Sequence, residues 1–413
     1  MRVAIAEYGL EGQASYRYYS AKGHDVTIVT NRVSSDYPIP EGAQSIVRAN
    51  VFDDVLDFDL VLRSPPRPPA SLKTTGKIWS ATNEFFSECS APIIGVTGTK
   101  GKGTTSSLIA SILQAAGQTV HLVGNIGTAS LDILPQVKSS DVVVFELSSF
   151  QLWDLEKSPH VAVVLPIEAD HLDVHNGMED YVAAKSQIAR HQVASDVIIY
   201  HKDNQNAQLI ADLSFAQNKI AYPQSMCSEY FDALKLPGAH NRENATAAII
   251  AASNAMPVSA EAIIQGLGAF SGLPHRLKFV SEKGSVKYYD DSIATTPGSA
   301  IAAINSFDEP KVLILGGLDK GADYRELISL CAEHNVKVVA MGANRQKIQT
   351  LCGSIGVECY DQPGDMQSAV TTAHSVASEG SVVILSPAAA SFDMFKNYAD
   401  RGDQFINAVE SLS

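Results

Sequence analysis

The sequence predicts an α/β protein built from about three domains. The chain has 413 residues, which is too long for one ordinary domain of roughly 150 residues. Short apolar runs alternate with helix-like segments throughout, an alternation typical of parallel sheets covered by helices. Because 45% of the residues are hydrophobic and 18% are charged, we expect packed cores and not disorder.

Charge and cysteine content exclude several classes of function. Lysine and arginine total 31 against 45 acidic residues, and the net charge of -14 argues against binding to nucleic acid or to an anionic membrane surface. The five cysteines form no CxxC pair, so neither a disulfide framework nor a zinc site is expected. The first residues, MRVAIAEYGLEG, lack the layout of a signal peptide, and no stretch approaches the ~18 apolar residues of a membrane span. We therefore expect a cytoplasmic protein that acts on small molecules.

The N-terminal segment predicts a β-turn-α-β opening. Residues 3–6 are an apolar run that meets a turn at residues 9–12, and a helical stretch leads to a second run at residues 26–30. Further along, LVLRSPPRPPAS contains four prolines, which cannot lie inside a helix or a central strand. This stretch is expected to form a loop at the carboxyl edge of a sheet. We expect the first domain boundary between Trp79 and Pro92.

The rest of the chain predicts two more α/β segments. The second opens with a strand at residues 92–96, the loop TGTKGKGT and a helix at residues 105–116. Its further apolar runs are residues 141–145, 161–165 and 197–200, followed by a helix that starts within HNRENATAAIIAASNA. The third begins near Arg276 and has apolar runs at residues 311–315, 336–341 and 382–385.

The sequence GVTGTKGKGTT follows the second segment's first strand and opens a helix. Glycines let backbone N–H groups turn towards phosphate oxygens, the helix N-terminus attracts negative charge, and Lys102 can reach the β- and γ-phosphates. Val96 replaces the usual first glycine of a phosphate loop, and Gly103 replaces the usual Ser or Thr after the lysine. A magnesium-binding hydroxyl would therefore come from Thr104 or Thr105.

Polar residues accumulate where the following strands end. Glu146 lies at the end of one apolar run, where a buried carboxylate is unfavourable unless it meets a cation. Beyond the next run come Asp170, His171, Asp173, His175 and, on a helix, Lys185. Acids at strand ends beside a phosphate loop are typical magnesium ligands, although each one alone is also typical of a solvated loop.

Taken together, these motifs resemble the Mur ligases of bacterial cell-wall synthesis. The resemblance covers nearly the whole chain and rests on ten motifs in the family's order: TGTKGKGTT, GNIG, ELSSFQL, DHLDVH, YVAAK, GAHNRENATAA, LPHR, DDSIATT, GGLDKGAD and SPAAASFDMFKNYADRG. It implies three domains. Residues 1–88 would form a Rossmann-like domain that binds a UDP-substrate, and residues 89–276 a central P-loop ATPase-type domain with a parallel sheet that binds ATP. Residues 277–413 would form a second Rossmann-like domain that binds an amino acid.

The resemblance assigns roles to individual positions. ATP is expected at Gly98, Thr99, Lys100, Gly101, Lys102, Gly103, Thr104, Thr105, Asn241, Asn244, Arg276 and Asp291, the last at the ribose. Mg²⁺ is expected at Thr104, Glu146, His171 and Lys185. Lys185 is expected to be carbamylated, which would give it oxygen atoms to bind the ion. The catalytic residues are expected to be Lys102, His171 and Lys185. The UDP-substrate is expected at Gly9, Thr30, Asn31, Arg67 and Asn125. The glutamate carboxylates are expected near Thr295, Lys320, Ser391 and Tyr398. His275 and Arg276 are expected to form the hinge that leads into the last domain.

The implied reaction is ATP-dependent amide formation in peptidoglycan synthesis, and so in cell-wall biogenesis, cell shape and cell division. The motifs are most similar to the branch of the family that adds D-glutamate to UDP-N-acetylmuramoyl-L-alanine through an acyl phosphate. The partners implied are small-molecule substrates, and the protein is expected to be a monomer without nucleic-acid or membrane partners. The stretch DSIATT has Ile293 where the family commonly has lysine, which keeps open the L-glutamate-adding variant of the same ligase.

Two other classes of function remain as alternatives. The β-turn-α opening is also typical of a dinucleotide-binding oxidoreductase, but GLEG is an incomplete glycine pattern and the second strand ends in Thr30 and Asn31, not in an acid. An inactive scaffold is suggested by the departures at Gly103 and Ile293. Against it stands the joint presence of Lys102, Glu146, His171, Lys185 and Asp291.

Overall fold

The computed structural model describes residues 1–222 and 226–412, and its sheets confirm the expected α/β class. Within these residues the chain forms three sheets flanked by helices. The strands of each sheet lie inside one of the segments 1–88, 89–276 and 277–413. The domain boundaries themselves stay a prediction.

The N-terminal segment forms a parallel five-stranded sheet. Its strands are β1 (Arg2–Ala6), β2 (Asp25–Thr30), β3 (Gln44–Val47), β4 (Leu60–Arg63) and β5 (Lys77–Ser80), and its helices are α1 (Leu10–Ala21) and α2 (Ala81–Glu88). The strand order is β3-β2-β1-β4-β5. Because β1 and β4 are parallel neighbours, the turn after β1 and the proline-rich loop after β4 leave the same edge of the sheet.

The second sheet has six parallel strands. They are β6 (Ile93–Thr97), β7 (Val120–Gly124), β8 (Val142–Glu146), β9 (Val161–Val164), β10 (Val197–His201) and β11 (Asn218–Tyr222), in the order β11-β10-β9-β6-β8-β7. Its segment contains the helices α3 (Lys102–Ala115), α4 (Ser130–Ile133), α5 (Ser149–Leu152), α6 (Gly177–Arg190), α7 (Gln205–Asp212), α8 (Ala239–Ala255) and α9 (Ala260–Ala269). Since β6 pairs with both β8 and β9, the loops that follow these three strands meet at one edge.

The third sheet is parallel except at one edge. Its strands are β12 (Lys278–Lys283), β13 (Val286–Asp290), β14 (Lys311–Leu315), β15 (Lys337–Ala340), β16 (Cys359–Asp361) and β17 (Val382–Leu385), in the order β12-β13-β17-β14-β15-β16, with β12 antiparallel to β13. Its helices are α10 (Pro297–Ile304), α11 (Arg325–Glu333), α12 (Arg345–Ile355), α13 (Met366–Val376) and α14 (Tyr398–Glu410). The loops after β13, β17 and β14 leave the carboxyl edge side by side.

Continuous apolar runs form the central strands of these sheets. Every residue of β6, β8, β9, β14 and β17 is buried, because helices cover both faces of the sheet. The edge strand β3 is instead exposed along its whole length. The apolar patterns that predicted the fold therefore mark the middle of each sheet.

The chain divides into two compact units. Unit 1 comprises Met1–Ala233 and Arg242–Phe270, and so contains the first two sheets, whereas unit 2 comprises Leu234–Asn241 and the chain from Ser271 onward, and contains the third. Both tryptophans, Trp79 and Trp153, belong to unit 1. No helix in the described part of the chain is long and apolar enough to cross a membrane.

One predicted boundary at the glycine-rich loop was wrong. The helix was expected to begin at residue 105, but α3 begins at Lys102. The left-handed conformation of Gly101 (φ 84°) reverses the chain just before the lysine, so that Lys102 is the first helical residue.

Candidate active site

Two glycines with positive φ hold the loop between β6 and α3 in shape. Gly98 has φ 156° and Gly101 has φ 84°. A Cβ atom at Gly98 would lie 2.6 Å from Cβ of Leu165, and one at Gly101 would lie 2.3 Å from Oδ1 of Asn244. Larger residues at these positions would collide with the segment after β9 and with α8. The first turn of α3 has no side-chain cap, so its N–H groups and the positive end of the helix dipole are directed at the loop.

The side-chain nitrogens of two lysines meet at the carbonyl oxygen of Gly98. Nζ of Lys102 donates to this oxygen over 3.1 Å and to the carbonyl oxygen of Thr99 over 3.0 Å. Nζ of Lys185, on α6, donates to the same oxygen of Gly98 over 2.9 Å and to Oγ1 of Thr97 over 3.3 Å. The loop therefore combines the Lys102 ammonium group with a helix N-terminus, an arrangement suited to polyphosphate, and the Lys185 side chain lies beside it.

The chemistry of Lys185 is set by its burial. Only 1% of the residue is exposed. Burial, followed by the charge of Lys102, lowers the pKa of Lys185 well below its usual range, while Asp170 and Glu146 act in the opposite direction. The neutral amine favoured by this shift is the form that reacts with carbon dioxide, so the expected carbamylation is chemically accessible.

Glu146 ends β8 and brings a buried carboxylate to the same edge of the sheet. It is 3% exposed, and its Oε1 accepts a hydrogen bond from Nδ2 of Asn125 over 3.2 Å. Its Oε2 is buried and has no hydrogen-bond partner among the described residues. An unpaired carboxylate oxygen in a buried position is unfavourable unless a cation reaches it. Asn125, in the GNIG motif, thus contacts the carboxylate directly.

These oxygen atoms fit a magnesium ion. Mg²⁺ prefers oxygen ligands and is commonly held by one or two carboxylates together with substrate phosphates. Oε2 of Glu146 offers such an oxygen, and a carbamylated Lys185 would offer more. The Thr105 hydroxyl donates to Oδ1 of Asn244 over 3.3 Å, which favours Thr104 as the hydroxyl ligand.

His171, another expected magnesium ligand, makes no side-chain hydrogen bond to the loop among the described residues. It follows β9, its side chain is 49% exposed, and its ring centroid lies 5.0 Å from that of Phe150. Its Nε2 lies 3.7 Å from Oδ2 of Asp170. Within residues 1–222 and 226–412, no three His, Cys, Asp or Glu side chains form a group that could hold a metal. The metal role of His171 stays a prediction.

Sequence reasoning gave no separate role to His175, which organises the neighbouring loops. Its ring is buried, stacks on Phe150 at 5.4 Å and lies 4.6 Å from the ring of Trp153. Its two nitrogens lie 3.2 Å from Oδ2 of Asp180 and 3.0 Å from Oγ of Ser149, and burial lowers its pKa. The histidine therefore connects α5, which follows Glu146, with α6, which carries Lys185. The only signal in the sequence was its place in DHLDVH.

The two asparagines expected near adenine are both buried. Oδ1 of Asn244 accepts from Thr105 and lies against Gly101, so this residue packs on the phosphate loop. Nδ2 of Asn241 donates to the carbonyl oxygen of Pro237 over 2.7 Å. Lys100, the remaining basic residue of the loop, is exposed.

Four of the five expected UDP-substrate residues lie at the carboxyl edge of the first sheet, whereas Asn125 follows β7 of the second sheet. Gly9 begins α1 as its N-cap and has open space where a Cβ would point. The Thr30 hydroxyl donates to the carbonyl oxygen of Arg32 over 2.9 Å, and Asn31 is exposed. Arg67 forms an ion pair with Glu7, and its guanidinium lies 3.6 Å from the ring centroid of Phe52. A diphosphate would therefore compete with the Glu7 carboxylate for Arg67.

Unit 2 contains a pocket of about 430 Å³ at the carboxyl edge of the third sheet. Its lining includes all four residues expected to bind glutamate: Thr295, Lys320, Ser391 and Tyr398. Ser391 is buried, whereas Lys320 and Thr295 are exposed at the surface. Phe392 also lines the pocket, and it is 67% exposed. The pocket thus brings together one cation, four side chains with a hydroxyl group and two aromatic rings, the Tyr398 side chain being both.

Asp291, expected at the ATP ribose, is engaged inside unit 2. Its Oδ1 accepts from the backbone N–H of Leu277 over 3.1 Å, and its Oδ2 accepts from Oγ of Ser386 over 2.7 Å. Burial raises the pKa of Asp291 to about 7, although these hydrogen bonds and Arg276 act to lower it. Arg276 itself is exposed, and the preceding His275 pairs through Nδ1 with Oδ2 of Asp290 at 2.7 Å. A ribose hydroxyl would share the carboxylate with partners from this unit.

Arg401 is a second residue that sequence reasoning missed. It is 1% exposed on α14, where the buried face also includes Phe405 and Ala408. This i, i+4, i+7 spacing places an arginine on the apolar face of a helix, and that is the signal by which it could have been found.

Two family models match the chain. Residues 96–252 match the Mur ligase middle domain, and residues 275–389 match the domain described as Mur ligase, glutamate ligase domain. The first range contains the phosphate loop, Glu146 and Lys185, and the second contains Thr295 and Lys320.

Known proteins are similar to the chain over its full length. UDP-N-acetylmuramoylalanine–D-glutamate ligase of Symbiobacterium thermophilum is 35% identical over 454 residues, which cover 100% of this chain and 98% of that protein. The solved structure of UDP-N-acetylmuramoylalanyl-D-glutamyl-2,6-diaminopimelate–D-alanyl-D-alanyl ligase from Acinetobacter baumannii has a TM-score of 0.63 at 17% identity and covers 99% of this chain and 93% of that chain.

A third similar protein was solved with ligands. It is the bifunctional folylpolyglutamate synthase/dihydrofolate synthase of Yersinia pestis in complex with AMPPNP and a manganese ion, with a TM-score of 0.57 at 20% identity over 80% of this chain and 93% of that chain. At such identities the solved structures show the shared fold alone. The two family matches and the full-length relative, however, agree with each other and with the motif order, and the chain therefore belongs to the Mur ligases, a family of ATP-dependent amide ligases.

Proposed function

We propose that this protein joins D-glutamate to the free carboxyl group of UDP-N-acetylmuramoyl-L-alanine, with ATP as the energy source, in peptidoglycan synthesis. The observation that carries the proposal is the pocket of unit 2, whose lining includes Thr295, Lys320, Ser391 and Tyr398. The D-glutamate ligase name of the full-length relative supports the choice of amino acid and of enantiomer.

The lining of the pocket suits a small dicarboxylate. The Lys320 ammonium group offers a charge-assisted hydrogen bond to one carboxylate, and the hydroxyl groups of Thr295 and Ser391 are further donors. No Asp or Glu is among the lining residues, so the pocket holds no charge that would repel a carboxylate. The volume of about 430 Å³ is within the range of small-molecule sites.

The loop between β6 and α3 is the proposed site of the ATP phosphates. Lys102 and the N-terminus of α3 supply positive charge there, and Gly98 and Gly101 let the backbone approach a ligand closely. The AMPPNP and manganese ion of the Yersinia pestis synthase support a nucleotide with a divalent cation in this fold.

Glu146, Thr104 and a carbamylated Lys185 are the proposed magnesium ligands. When bound, the ion supplies charge neutralisation for phosphoryl transfer. Asn125 orients the Glu146 carboxylate through the 3.2 Å hydrogen bond to Oε1, which leaves Oε2 available.

The proposed reaction has two steps. A carboxylate oxygen of UDP-N-acetylmuramoyl-L-alanine attacks the γ-phosphorus of ATP, and the bond from that phosphorus to the β,γ-bridging oxygen breaks, giving an acyl phosphate and ADP. The amino group of glutamate then attacks the acyl carbon, phosphate leaves with the electron pair of the C–O bond, and the amine loses one proton. Lys102 stabilises the negative charge that moves between the phosphoryl oxygens in the first step.

The uridine nucleotide is proposed to bind at the carboxyl edge of the first sheet, near Gly9, Thr30 and Asn31. Open space beside Gly9 and the N-terminus of the 12-residue helix α1 support a diphosphate at this turn. Arg67 would contribute only after it exchanges part of its interaction with Glu7 for the diphosphate.

A phosphate-release assay tests the proposed function. Purified protein is supplied with ATP, Mg²⁺ and UDP-N-acetylmuramoyl-L-alanine, and D-glutamate and L-glutamate are added in parallel reactions. We expect phosphate release that requires every substrate and that is faster with D-glutamate. Release with L-glutamate alone would support the variant suggested by Ile293, and release with neither enantiomer would refute the proposal.

A further inference from the structure

Arg401 is a buried cation that makes no direct ion pair with a carboxylate among the described residues. Its side chain lies on α14 and is 1% exposed. Nε donates to Oγ of Ser292 over 2.9 Å, Nη2 donates to the carbonyl oxygen of Ser292 over 2.7 Å, and Nη1 donates to the carbonyl oxygen of Ala389 over 3.0 Å. These three hydrogen bonds of the guanidinium therefore all go to uncharged acceptors, while Asp393 and Asp290 act on it only through longer-range charge interactions.

The acceptors of Arg401 belong to two different loops at the carboxyl edge of the third sheet. Ser292 follows β13, and Ala389 follows β17. A third loop, which follows β14, packs against the same point. The N–H of Leu318 donates to the carbonyl oxygen of Ala390 over 2.9 Å, and a Cβ atom at Gly317 would lie 3.4 Å from Nη1 of Arg401.

These three loops carry the polar residues of the pocket. Thr295 lies three residues after Ser292, Ser391 lies two residues after Ala389, and Lys320 lies two residues after Leu318. The fourth residue is connected as well, because Oγ of Ser292 donates to the carbonyl oxygen of Tyr398 over 2.7 Å.

We propose that Arg401 is a positioning residue for the amino-acid pocket, which fixes the loops after β13 and β17 relative to each other and so sets the spacing of the carboxylate-binding groups. Arg401 does not line the pocket, and it acts through Ser292 and Ala389. The identity of the amino acid rests on the proposed function, whereas the connection of the loops rests on these contacts.

The planar fork of arginine is needed for this role. A guanidinium has donors that point in several fixed directions, and here they reach both loops at once. A lysine keeps the charge but has one nitrogen on a flexible chain, so it cannot occupy the places of Nε, Nη1 and Nη2 together. At least one buried carbonyl oxygen would then lose its partner, which allows the loops to move.

Steady-state kinetics of Arg401→Lys and Ser292→Ala test the proposal. We expect Arg401→Lys to raise the KM for glutamate by about tenfold or more, with the KM for ATP changed by less than about twofold. Ser292→Ala removes one acceptor and the hydroxyl contact to Tyr398, so it should raise the same KM by a smaller factor. The double variant should fall short of the product of the two effects, because both changes act on one set of contacts. Arg325→Met is the control, since Arg325 is exposed and pairs with Asp323 two residues away.

A second measurement needs no turnover. The protein is labelled with 3-fluorotyrosine, and the ¹⁹F NMR signal of Tyr398 is assigned as the one that is missing from Tyr398→Phe. We expect this signal to be shifted or broadened in Arg401→Lys and in Ser292→Ala. In Arg325→Met it should be unchanged. An unchanged signal together with an unchanged KM for glutamate would overturn the positioning role, even if the variant were less stable. A changed signal in a protein that ligates neither enantiomer of glutamate would instead refute the proposed function and leave the positioning role standing.

Discussion

Asp291 shows how a single carboxylate is placed in an environment that opposes its charge. Its two oxygens accept hydrogen bonds from Leu277 and Ser386, yet burial raises its pKa to about 7. The protonated form is thus favoured in the folded protein, whereas in the unfolded chain the group ionises near pH 4. Between about pH 4 and pH 7 the folded state binds more protons than the unfolded state, so in this window stability falls as the pH rises.

Asp291→Asn should remove this pH dependence. We expect the wild-type protein to lose stability between pH 5 and pH 8 relative to the variant, by up to about 2–3 kcal/mol, because the amide has a similar shape and no titrating charge. Thermal unfolding of both proteins at several pH values measures the difference. Asp323→Asn is a suitable control, since that carboxylate is exposed and hydrogen bonds from Arg325 lower its pKa to about 2. Parallel pH profiles for wild type and Asp291→Asn would contradict the prediction.

Lys185→Arg should abolish ligation, because it places a permanent cation on α6 where a carbamate is proposed. Arginine is not carbamylated and remains charged, whereas burial lowers the pKa of Lys185 so that its neutral amine can react. We expect kcat to fall by about 10²-fold or more. Carbon-13 NMR with labelled bicarbonate should show a carbamate signal in the wild type that is absent from the variant. Full activity of Lys185→Arg would exclude a carbamate as a required ligand.

At the residue scale, positions that are local in the sequence were predictable. The glycines and Lys102 were expected in one loop and Glu146 at the end of an apolar run, and the structure places them there, whereas their roles stay a prediction. Partners that are distant in sequence were not predictable. Nothing in the sequence indicated that Arg67 faces Glu7 or that Asp291 accepts from Ser386, because these pairs exist only through tertiary contacts.

At the element scale, α14 depends on a glycine in its interior. Gly402 is helical, and a Cβ atom there would lie 2.1 Å from Nδ1 of His275 and 2.9 Å from Oδ2 of Asp290. The helix can therefore approach the buried histidine–aspartate pair only without a side chain at this position. This contact explains why a residue that weakens helices is found in the middle of one.

Gly402→Ala should destabilise unit 2, and Gly353→Ala should not. Both glycines lie inside helices, but a Cβ atom at Gly353 on α12 meets nothing within 4 Å. We expect a loss of about 1–3 kcal/mol for Gly402→Ala from overpacking. For Gly353→Ala we expect a gain of about 0.5–1 kcal/mol from helix propensity. Calorimetric unfolding compares the two variants directly, and a shift of both in the same direction would refute the role of the contact.

The central strands were predictable as elements, and several edge strands were not. The apolar runs at residues 311–315 and 382–385 coincide with β14 and β17, which are buried on both faces. The edge strand β3 is fully exposed and has no apolar pattern to detect, and β16 has only three residues. Pairing with a neighbouring strand forms these elements, and the local sequence does not reveal that pairing.

At the scale of the whole molecule, a buried arginine connects the first two sheets of unit 1. The side chain of Arg63, at the end of β4, is fully buried. Its Nε donates to Oδ2 of Asp154 over 2.8 Å, and its Nη2 donates to the carbonyl oxygen of Phe150 over 2.9 Å and also to the second oxygen of Asp154. Phe150 and Asp154 follow β8, so the contacts couple the expected UDP-substrate segment to the segment that carries Glu146.

Arg63→Met should destabilise unit 1 strongly. Removing one partner of a buried ion pair leaves Asp154 without compensation, and we expect a loss of about 3–5 kcal/mol. Arg48→Met is the matched control, because Arg48 pairs with Asp54 at the surface and should contribute less than about 1 kcal/mol. Differential scanning calorimetry measures both, and equal effects of the two variants would contradict the structural role of Arg63.

The position of the tryptophans makes the two units optically distinct. Trp79 donates its indole N–H to Oε2 of Glu84 over 3.0 Å, and the ring of Trp153 lies 4.6 Å from that of His175, so both indoles sit in defined surroundings that unfolding would change. Because both belong to unit 1, selective indole excitation follows the melting of that unit, whereas far-UV circular dichroism follows the helices and strands of both. The difference between the two curves isolates the melting of the amino-acid-pocket unit in the intact chain, with no label and no truncation.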